Sequence, residues 1–325
     1  MRLLASPWAK TEGLLETNKA SHRTPNESPN GVLLLDKPSG LTSNAALQKI
    51  RRLYSRAKAG HTGTLDPLAS GLLAVCFGEA TKFSNPLLEA RKSYLATMRL
   101  GWRSTTGDAE GELTKIAPPD FDRRALRRAI SDLSGPIEQV PPMYSAVKIK
   151  GQPLYSLARK GVSVERVARQ VHIYQLDMVR RFDESLEIAV TCSKGTYIRV
   201  LAEDLGNLLG CGAYLTALRR VAIGTLNISD AIGLDALASL GLAERLELLK
   251  PMDLLLADLP DLRLSDVNSS KVCQGLTVSG YHAIAPLHRV RIYTEGGGFL
   301  GLGEIDEHGV LKPKRLVSTR HFNRP

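Results

Sequence analysis

Residues Gly60 to Gly71 read Gly-His-Thr-Gly-Thr-Leu-Asp-Pro-Leu-Ala-Ser-Gly, and the rest of the chain is best read outward from them. Glycine, threonine, serine and proline interrupt the stretch too often for a long helix or strand, so it predicts a loop. Gly60, Gly63 and Gly71 allow backbone conformations or close approaches that a Cβ forbids, and Pro67 fixes its own φ. Pro67 also restricts the residue before it to an extended shape, which presents Asp66 as a carboxylate on a stiff loop. The apolar run Leu72 to Phe77, bounded by Gly71 and Gly78, predicts a buried strand behind that loop. By itself an Asp-Pro pair is a common turn starter. No Gly-Lys-Ser/Thr follows the glycines and no Gly-x-Gly-x-x-Gly lies here, which excludes a phosphate-cradling loop and a dinucleotide fingerprint.

Upstream, Gly31 to Asp36 predicts a short apolar strand. Lys37-Pro-Ser-Gly40 turns it into a helix capped by Ser43 or Asn44, with Leu47, Ile50 and Leu53 or Tyr54 at helical spacing. Arg51, Arg52, Arg56 and Lys58 form its outer face, which serves either as a solvated surface or as a phosphate contact. Downstream, Glu79 to Glu89 has helical character interrupted by Pro86, and Ser93 to Leu100 alternates as a strand. Tyr94 at its start reads, on the residues alone, as cross-strand packing. Thr105 to Gly111 is an acidic, turn-rich connection expected to be solvated. A helix from Asp120 or Asp122 places Leu126, Ile130 and Leu133 inward and Arg123, Arg124, Arg127 and Arg128 outward, and Gly135 stops it.

Val167 to Phe182 and Leu186 to Cys192 predict two strands joined at Asp183-Glu184, with Leu186, Ile188, Val190 and Cys192 on one face. Cys192 to Arg199 ends that strand and opens a helix running to about Leu209. Read as bare residues, Arg199 is a surface arginine and Tyr197 is helix packing. Tyr214 to Val221 follows, with Arg219 and Arg220 adding charge, and Asp235 to Leu249 predicts one apolar-periodic helix. Lys250-Pro251 marks a boundary. Beyond it, Arg289 to Thr294 and Phe299 to Ile305 predict strands of a small β-rich module. Gly296 to Gly301 matches Gly-x-Gly-x-x-Gly, but a strand follows it where a helix is required, so it predicts a hairpin turn.

The chain has 325 residues, 43% of them hydrophobic, which suits one large domain and a small one. Lys and Arg number 43 against 33 Asp and Glu, a formal net charge of +10, which fits either a polyanionic partner or simply a basic soluble protein. Four cysteines form no Cys-x-x-Cys, and neither they nor the histidines show zinc spacing, so neither a disulfide framework nor a metal centre is encoded. No apolar run approaches the roughly 20 residues of a membrane span. Residues 1–30 lack the apolar stretch of a secretory signal and are expected to form a flexible tail.

Gly60 to Pro67, GHTGTLDP, resembles the catalytic motif of the TruB-type tRNA pseudouridine synthases without a break. The resemblance runs from Gly31 to about Val317. Asp36 to Asn44 is similar to the family's first motif, which braces the active-site loop. Lys92-Ser-Tyr94, Thr105 to Gly111, Gln139 to Lys148 and Cys192 to Arg199 are similar to further family segments. The resemblance implies that Asp66 is the essential carboxylate and that Arg199 pairs with it. It implies that Tyr94 stacks on the target base, that Tyr197 and Leu218 line the uracil pocket, and that His61 fills the space left by a flipped-out base.

The implied fold is α+β, a pseudouridine synthase fold with a mixed, largely antiparallel central sheet flanked by helices. The implied domains are residues 31–250 for catalysis and 251–325 for a PUA-like RNA-binding β-barrel. The implied reaction converts uridine-55 in the TΨC loop of tRNA to pseudouridine, an isomerisation that needs no cofactor and no metal. The expected partner is the T-arm stem-loop of tRNA, with no membrane, obligatory protein partner or guide RNA, in the cytoplasm. Two competing readings are a non-catalytic RNA-binding module and the guide-directed branch of the same superfamily. The intact set of Asp66, Tyr94, Tyr197 and Arg199 weighs against the first, and the single-chain layout against the second.

Overall fold

A computed structural model describes residues 29–145, 147–149, 151–162, 164–282 and 287–318. The expected tail, apart from Pro29 and Asn30, lies outside the described residues. A ten-stranded sheet forms the body of the protein. Gly31–Lys37 pairs antiparallel with Ser70–Phe77, which pairs parallel with Ala213–Ile223. From there the order continues through Lys92–Leu100, Ser185–Cys192 and Arg169–Phe182 to Gly135–Gln139, antiparallel at every step. The sheet is therefore mixed and largely antiparallel, as expected.

The continuous apolar runs of the first two strands have a direct cause. Val32 and Leu34, with Leu72, Ala74 and Cys76, enter one core; Leu33 and Leu35, with Leu73, Val75 and Phe77, enter another on the opposite face. Strands covered on both faces need no polar alternation. The third core takes Leu186, Ile188, Val190 and Cys192 from one face of their strand, together with Ile198, Leu201, Ala202 and Leu205 of the Ile198–Leu208 helix. Leu201 and Leu205 are fully buried, each contributing roughly 1.5–3 kcal/mol, which seats the helix firmly on the sheet.

Local signals were displaced in several places. The Ser43–Leu53 helix is capped by Thr42, whose hydroxyl accepts from the Ala45 N–H at 3.0 Å, and not by Ser43 or Asn44. Pro86 stands in the first turn of the Asn85–Glu89 helix, where its missing N–H costs nothing, and so starts that helix. Asp122 caps the Arg123–Asp132 helix. The single helix expected over Asp235 to Leu249 is two, Leu234–Ser239 and Leu242–Glu247, because Gly241 acts as the N-cap of the second.

After Met252–Leu256, four strands, Asp261–Leu264, Leu287–Thr294, Phe299–Ile305 and Leu311–Leu316, form a second sheet beside the Asp266–Cys273 helix. Thr294 and Phe299 are joined by the expected hairpin turn. The small sheet is not an independent bead. Phe299 meets Phe83 edge-on at 5.3 Å between ring centroids, and Phe299, Leu302 and Val317 complete the core that holds Val32 and Leu72.

Candidate active site

The loop opens from a short strand, Ala59–His61, paired with Ser70–Phe77, so Gly60 and His61 are strand residues and the loop proper starts at Thr62. Gly63 and Gly71 have φ of 95° and 103°, while Gly60 has no positive φ and open space around it. At Gly71 a Cβ would lie 2.3 Å from the Arg220 carbonyl, so no side chain fits.

The segment from Lys37 to Ser43 fastens this loop from one side. Gly40 N–H donates to Pro67 O at 2.7 Å. The Ser43 hydroxyl donates to Leu65 O at 3.0 Å and accepts from Leu65 N–H at 2.7 Å. Lys37, fully buried, donates from Nζ to Pro38 O and Leu41 O, which fixes the turn itself. Burial and the nearby Arg220 charge bring the Lys37 ammonium down to about 8. The bracing role implied for this segment thus has a hydrogen-bonded basis.

Arg199, in the first turn of its helix, lies against the loop from the other side. Its Nε is 3.0 Å from Asp66 Oδ2. Among the described residues no acceptor is aligned with that N–H, so the contact is a close charge pair and not a bidentate fork. The guanidinium is held by its other nitrogens: Nη1 donates to Thr106 O at 3.0 Å and Nη2 to Tyr144 O at 2.8 Å. Nη1 also lies 3.4 Å from Asp108 Oδ2. Asp108 is 4% exposed and accepts from the Thr106 hydroxyl at 2.6 Å, which corrects the expectation of a solvated connection at this carboxylate, while Thr105, Ala109 and Glu110 are exposed as expected.

About 38% of the Asp66 side chain is open, but the opening faces two cavities. Burial therefore still dominates and raises its pKa above the usual carboxylate range; Arg199 and Lys37 pull it down, and Asp108 pushes it further up. Arg199 lowers the Asp66 pKa as expected, without reversing the effect of burial.

One cavity, about 230 Å³, is bordered by Asp66, Tyr94, Tyr197, Arg199, Leu218 and Arg220. The other, about 600 Å³, is bordered by His61, Asp66, Pro67, Asp108 and Arg199. Asp66 and Arg199, with Thr64, Leu65 and Ser145, border both. The structure thus brings Tyr94, Tyr197 and Leu218 together on one side of the carboxylate and puts His61 on the other. Burial and the Arg220 charge lower the His61 pKa, which favours neutral imidazole, and its buried Nδ1 has no hydrogen-bond partner among the described residues. Ser145 Oγ, at the border of both cavities, is likewise buried and has no partner among the described residues. Tyr197 is positioned through its backbone, since Gln139 accepts from its N–H at 2.9 Å and donates to its carbonyl at 3.3 Å.

Sequence reasoning missed Asp108, Gln139 and the distinct place of Arg220. Arg219 and Arg220 are neighbours on a strand and so point to opposite faces. Arg219 pairs with Asp36 at 2.7 Å at the surface, whereas Arg220 is 1% exposed and enters the smaller cavity. Among the described residues no helix is long and apolar enough to cross a membrane.

Comparison with known proteins agrees with this geometry. Family models described as TruB family pseudouridylate synthase (N terminal domain), tRNA pseudouridylate synthase B C-terminal domain, and Pseudouridine synthase II TruB, C-terminal match residues 51–198, 199–257 and 260–317. A protein of Aromatoleum aromaticum named tRNA pseudouridine synthase B is 55% identical over 289 residues, 89% of this chain and 93% of that one. Its namesake in Burkholderia lata is 51% identical over 301 residues, covering 91% and 93%. A chain in a crystal structure of a Cbf5-Nop10-Gar1 complex superposes with a TM-score of 0.69 at 25% identity, over 91% of this chain and 88% of that one. Sharing half its residues with such relatives over nearly their full length, and carrying the same architecture, the chain belongs to the TruB family and is a pseudouridine synthase, an isomerase of RNA uridine.

Proposed function

We propose that the enzyme converts uridine-55 in the T-arm of tRNA, with Asp66 as the essential carboxylate acting on a uridine flipped out of its stack. The observation that carries the reading is the Asp66 carboxylate, held 3.0 Å from a buried arginine at the junction of two cavities. A base in a folded loop must leave its stack before a side chain can reach its glycosidic bond. The smaller cavity suits such a base, with Tyr94 as the stacking partner and Tyr197 and Leu218 as its walls. The larger cavity suits the loop it came from, with His61 at the vacated position.

The reaction breaks N1–C1′, turns the uracil and joins C5 to C1′; the proton lost from C5 is balanced by one gained at N1. Nothing is oxidised or reduced, which fits an enzyme that uses no cofactor or metal. The excess of Lys and Arg supports an RNA partner, and relatives named for tRNA support tRNA in particular. The reading includes a cytoplasmic enzyme that works alone, with a catalytic domain over residues 31–250 and a PUA-like RNA-binding module over 251–325. Cbf5 in complex with Nop10 and Gar1 is the contrasting arrangement.

The test uses purified protein, a T-arm stem-loop and no other macromolecule, in chelator. Pseudouridine should form at position 55 in single turnover, and Asp66→Asn should abolish it while retaining RNA binding. Conversion by Asp66→Asn at a near wild-type rate would remove the assignment, and a need for a second protein or guide would remove the stand-alone reading.

A further inference from the structure

We propose that Arg220 is a catalytic residue: its guanidinium stabilises the negative charge that the uracil ring acquires when its glycosidic bond breaks. The inference rests on the pseudouridine synthase reading and assigns a role to a residue outside the Asp66 and Arg199 pair.

Among the described residues Arg220 is the largest fully buried side chain, at 1% exposure. Arginine stays protonated in proteins, so this is a permanent interior charge. Interior charges normally have an opposite charge beside them, because an uncompensated one is costly. Among the described residues Arg220 forms no ion pair. It is held by neutral acceptors, Nε donating to Leu72 O at 2.7 Å and Nη2 to Gly63 O at 3.2 Å. The effect of the charge on its surroundings is correspondingly wide. Arg220 lowers the pKa of Lys37, His61 and Lys92, and its guanidinium lies beside the Tyr94 hydroxyl.

Its position gives that charge a use. Arg220 and Tyr94 are cross-strand partners in the sheet, and both border the 230 Å³ cavity with Asp66. Whichever atom Asp66 meets, breaking N1–C1′ leaves the bonding pair on the uracil, spread over N1 and the O2 and O4 carbonyls. The charge then disappears as C5 bonds to C1′, the C5 proton leaves and N1 is protonated. A fixed cation, oriented beforehand and shielded from water, stabilises such a transient anion far better than it stabilises neutral uridine. Arg199 is less suited to this role, since its charge is shared between Asp66 and Asp108.

Because Arg220 also ties Gly63 to the sheet, the test must separate charge from scaffolding. Arg220→Gln keeps a neutral donor for the two carbonyls. Single-turnover conversion of a T-arm stem-loop by this variant should slow roughly 10²–10³-fold, the usual effect of losing one such donor, with RNA affinity unchanged. The same RNA with 5-fluorouridine at the target is then followed as loss of its N-glycoside. Fluorine stabilises the departing uracil anion by itself, so the Arg220→Gln deficit should shrink by about tenfold or more. An equal deficit on both substrates would assign Arg220 to scaffolding alone and overturn the proposal.

A measurement on the wild-type protein needs no variant. With a stem-loop that is abasic at the target, free 5-nitrouracil, which ionises near neutral pH, should bind more tightly as it becomes an anion, while uracil should show no such gain over the same range. Weaker binding of the nitrouracil anion than of its neutral form would also overturn the proposal. Failure of the wild-type enzyme to convert the uridine stem-loop would instead count against the tRNA assignment, and leaves this binding comparison intact as the test of the pocket's charge preference.

Discussion

Asp108 Oδ2 lies 3.4 Å from Arg199 Nη1, the guanidinium whose Nε faces Asp66, so two carboxylates share one buried cation. Asp108 therefore has opposing effects on the Asp66 loop. It helps hold Arg199 in place, and its negative charge raises the Asp66 pKa. Asp108→Asn should move the acid limb of the rate-versus-pH curve to lower pH, because Asp66 loses a like-charged neighbour and ionises more readily. The plateau rate should fall by roughly tenfold to a hundredfold as Arg199 loses an anchor. Single-turnover rates across pH on a T-arm stem-loop check both, and an acid limb shifted upward would contradict the arrangement.

Arg199 should give the opposite shift. Burial already raises the Asp66 pKa, and Arg199 is the largest influence lowering it. Arg199→Met removes that influence, so a higher pH is needed to ionise Asp66 and the acid limb moves up. Arg199→Lys restores a charge but not the planar fork that reaches Thr106 O and Tyr144 O, so it should retain more activity than Met and less than wild type. Met and Lys variants with indistinguishable pH profiles would separate Arg199 from the ionisation of Asp66.

Ser43 offers a test of the loop's support without touching the cavity charges. Its hydroxyl is both donor to and acceptor from Leu65, one residue before Asp66, and the site is buried. Ser43→Ala leaves a backbone N–H and a carbonyl without these partners, at a cost of about 1–3 kcal/mol in urea unfolding. The rate at saturating RNA should fall more than RNA affinity does, since the change loosens the carboxylate and not the binding surface. A variant as stable as wild type would show that the loop holds its shape by other contacts.

How much of this was legible in the chain depends on whether a signal was local. The apolar strands are written in consecutive residues, and the structure has them where the runs predict, at Gly31–Lys37 and Ser70–Phe77. Thr42, Ser43 and Asn44 are all competent caps, and only the approach of Leu65 draws Ser43 away from that task. The apolar period over Asp235 to Leu249 runs across Gly241 without a break, yet Gly241 caps the second of two short helices there. Asp108 sits in a segment whose composition suits solvent, and only the resemblance to a family segment hinted that it mattered. Arg199 looked like a surface residue because its partners come from loops 93 and 55 residues away in the chain. Alternation along the strand implied that Arg219 and Arg220 face opposite ways. Which of them turns inward is set by the register that places Arg220 against Tyr94 and Gly71.

The small C-terminal sheet invites a deletion experiment, but its packing changes what such a cut would report. Every residue bordering the two cavities precedes Leu259, which suggests that removing Leu259 to Pro325 should affect RNA binding alone. Phe299, Leu302 and Val317, however, complete the apolar cluster built on Val32, Leu72 and Phe83, and Ser318 N–H donates to Glu79 Oε2 at 2.6 Å. The deletion would leave one face of the central sheet open to water, so it should lower the unfolding temperature of the part that remains. Phe299→Ala is the milder probe. Loss of a fully buried phenylalanine costs about 3–5 kcal/mol, and Phe299 is only partly buried, so about 2–3 kcal/mol is expected in urea unfolding. The transition should remain single and cooperative, because both sheets share that core. Two separate transitions in Phe299→Ala, or a deletion variant as thermostable as the full chain, would show that the modules fold independently despite the contact.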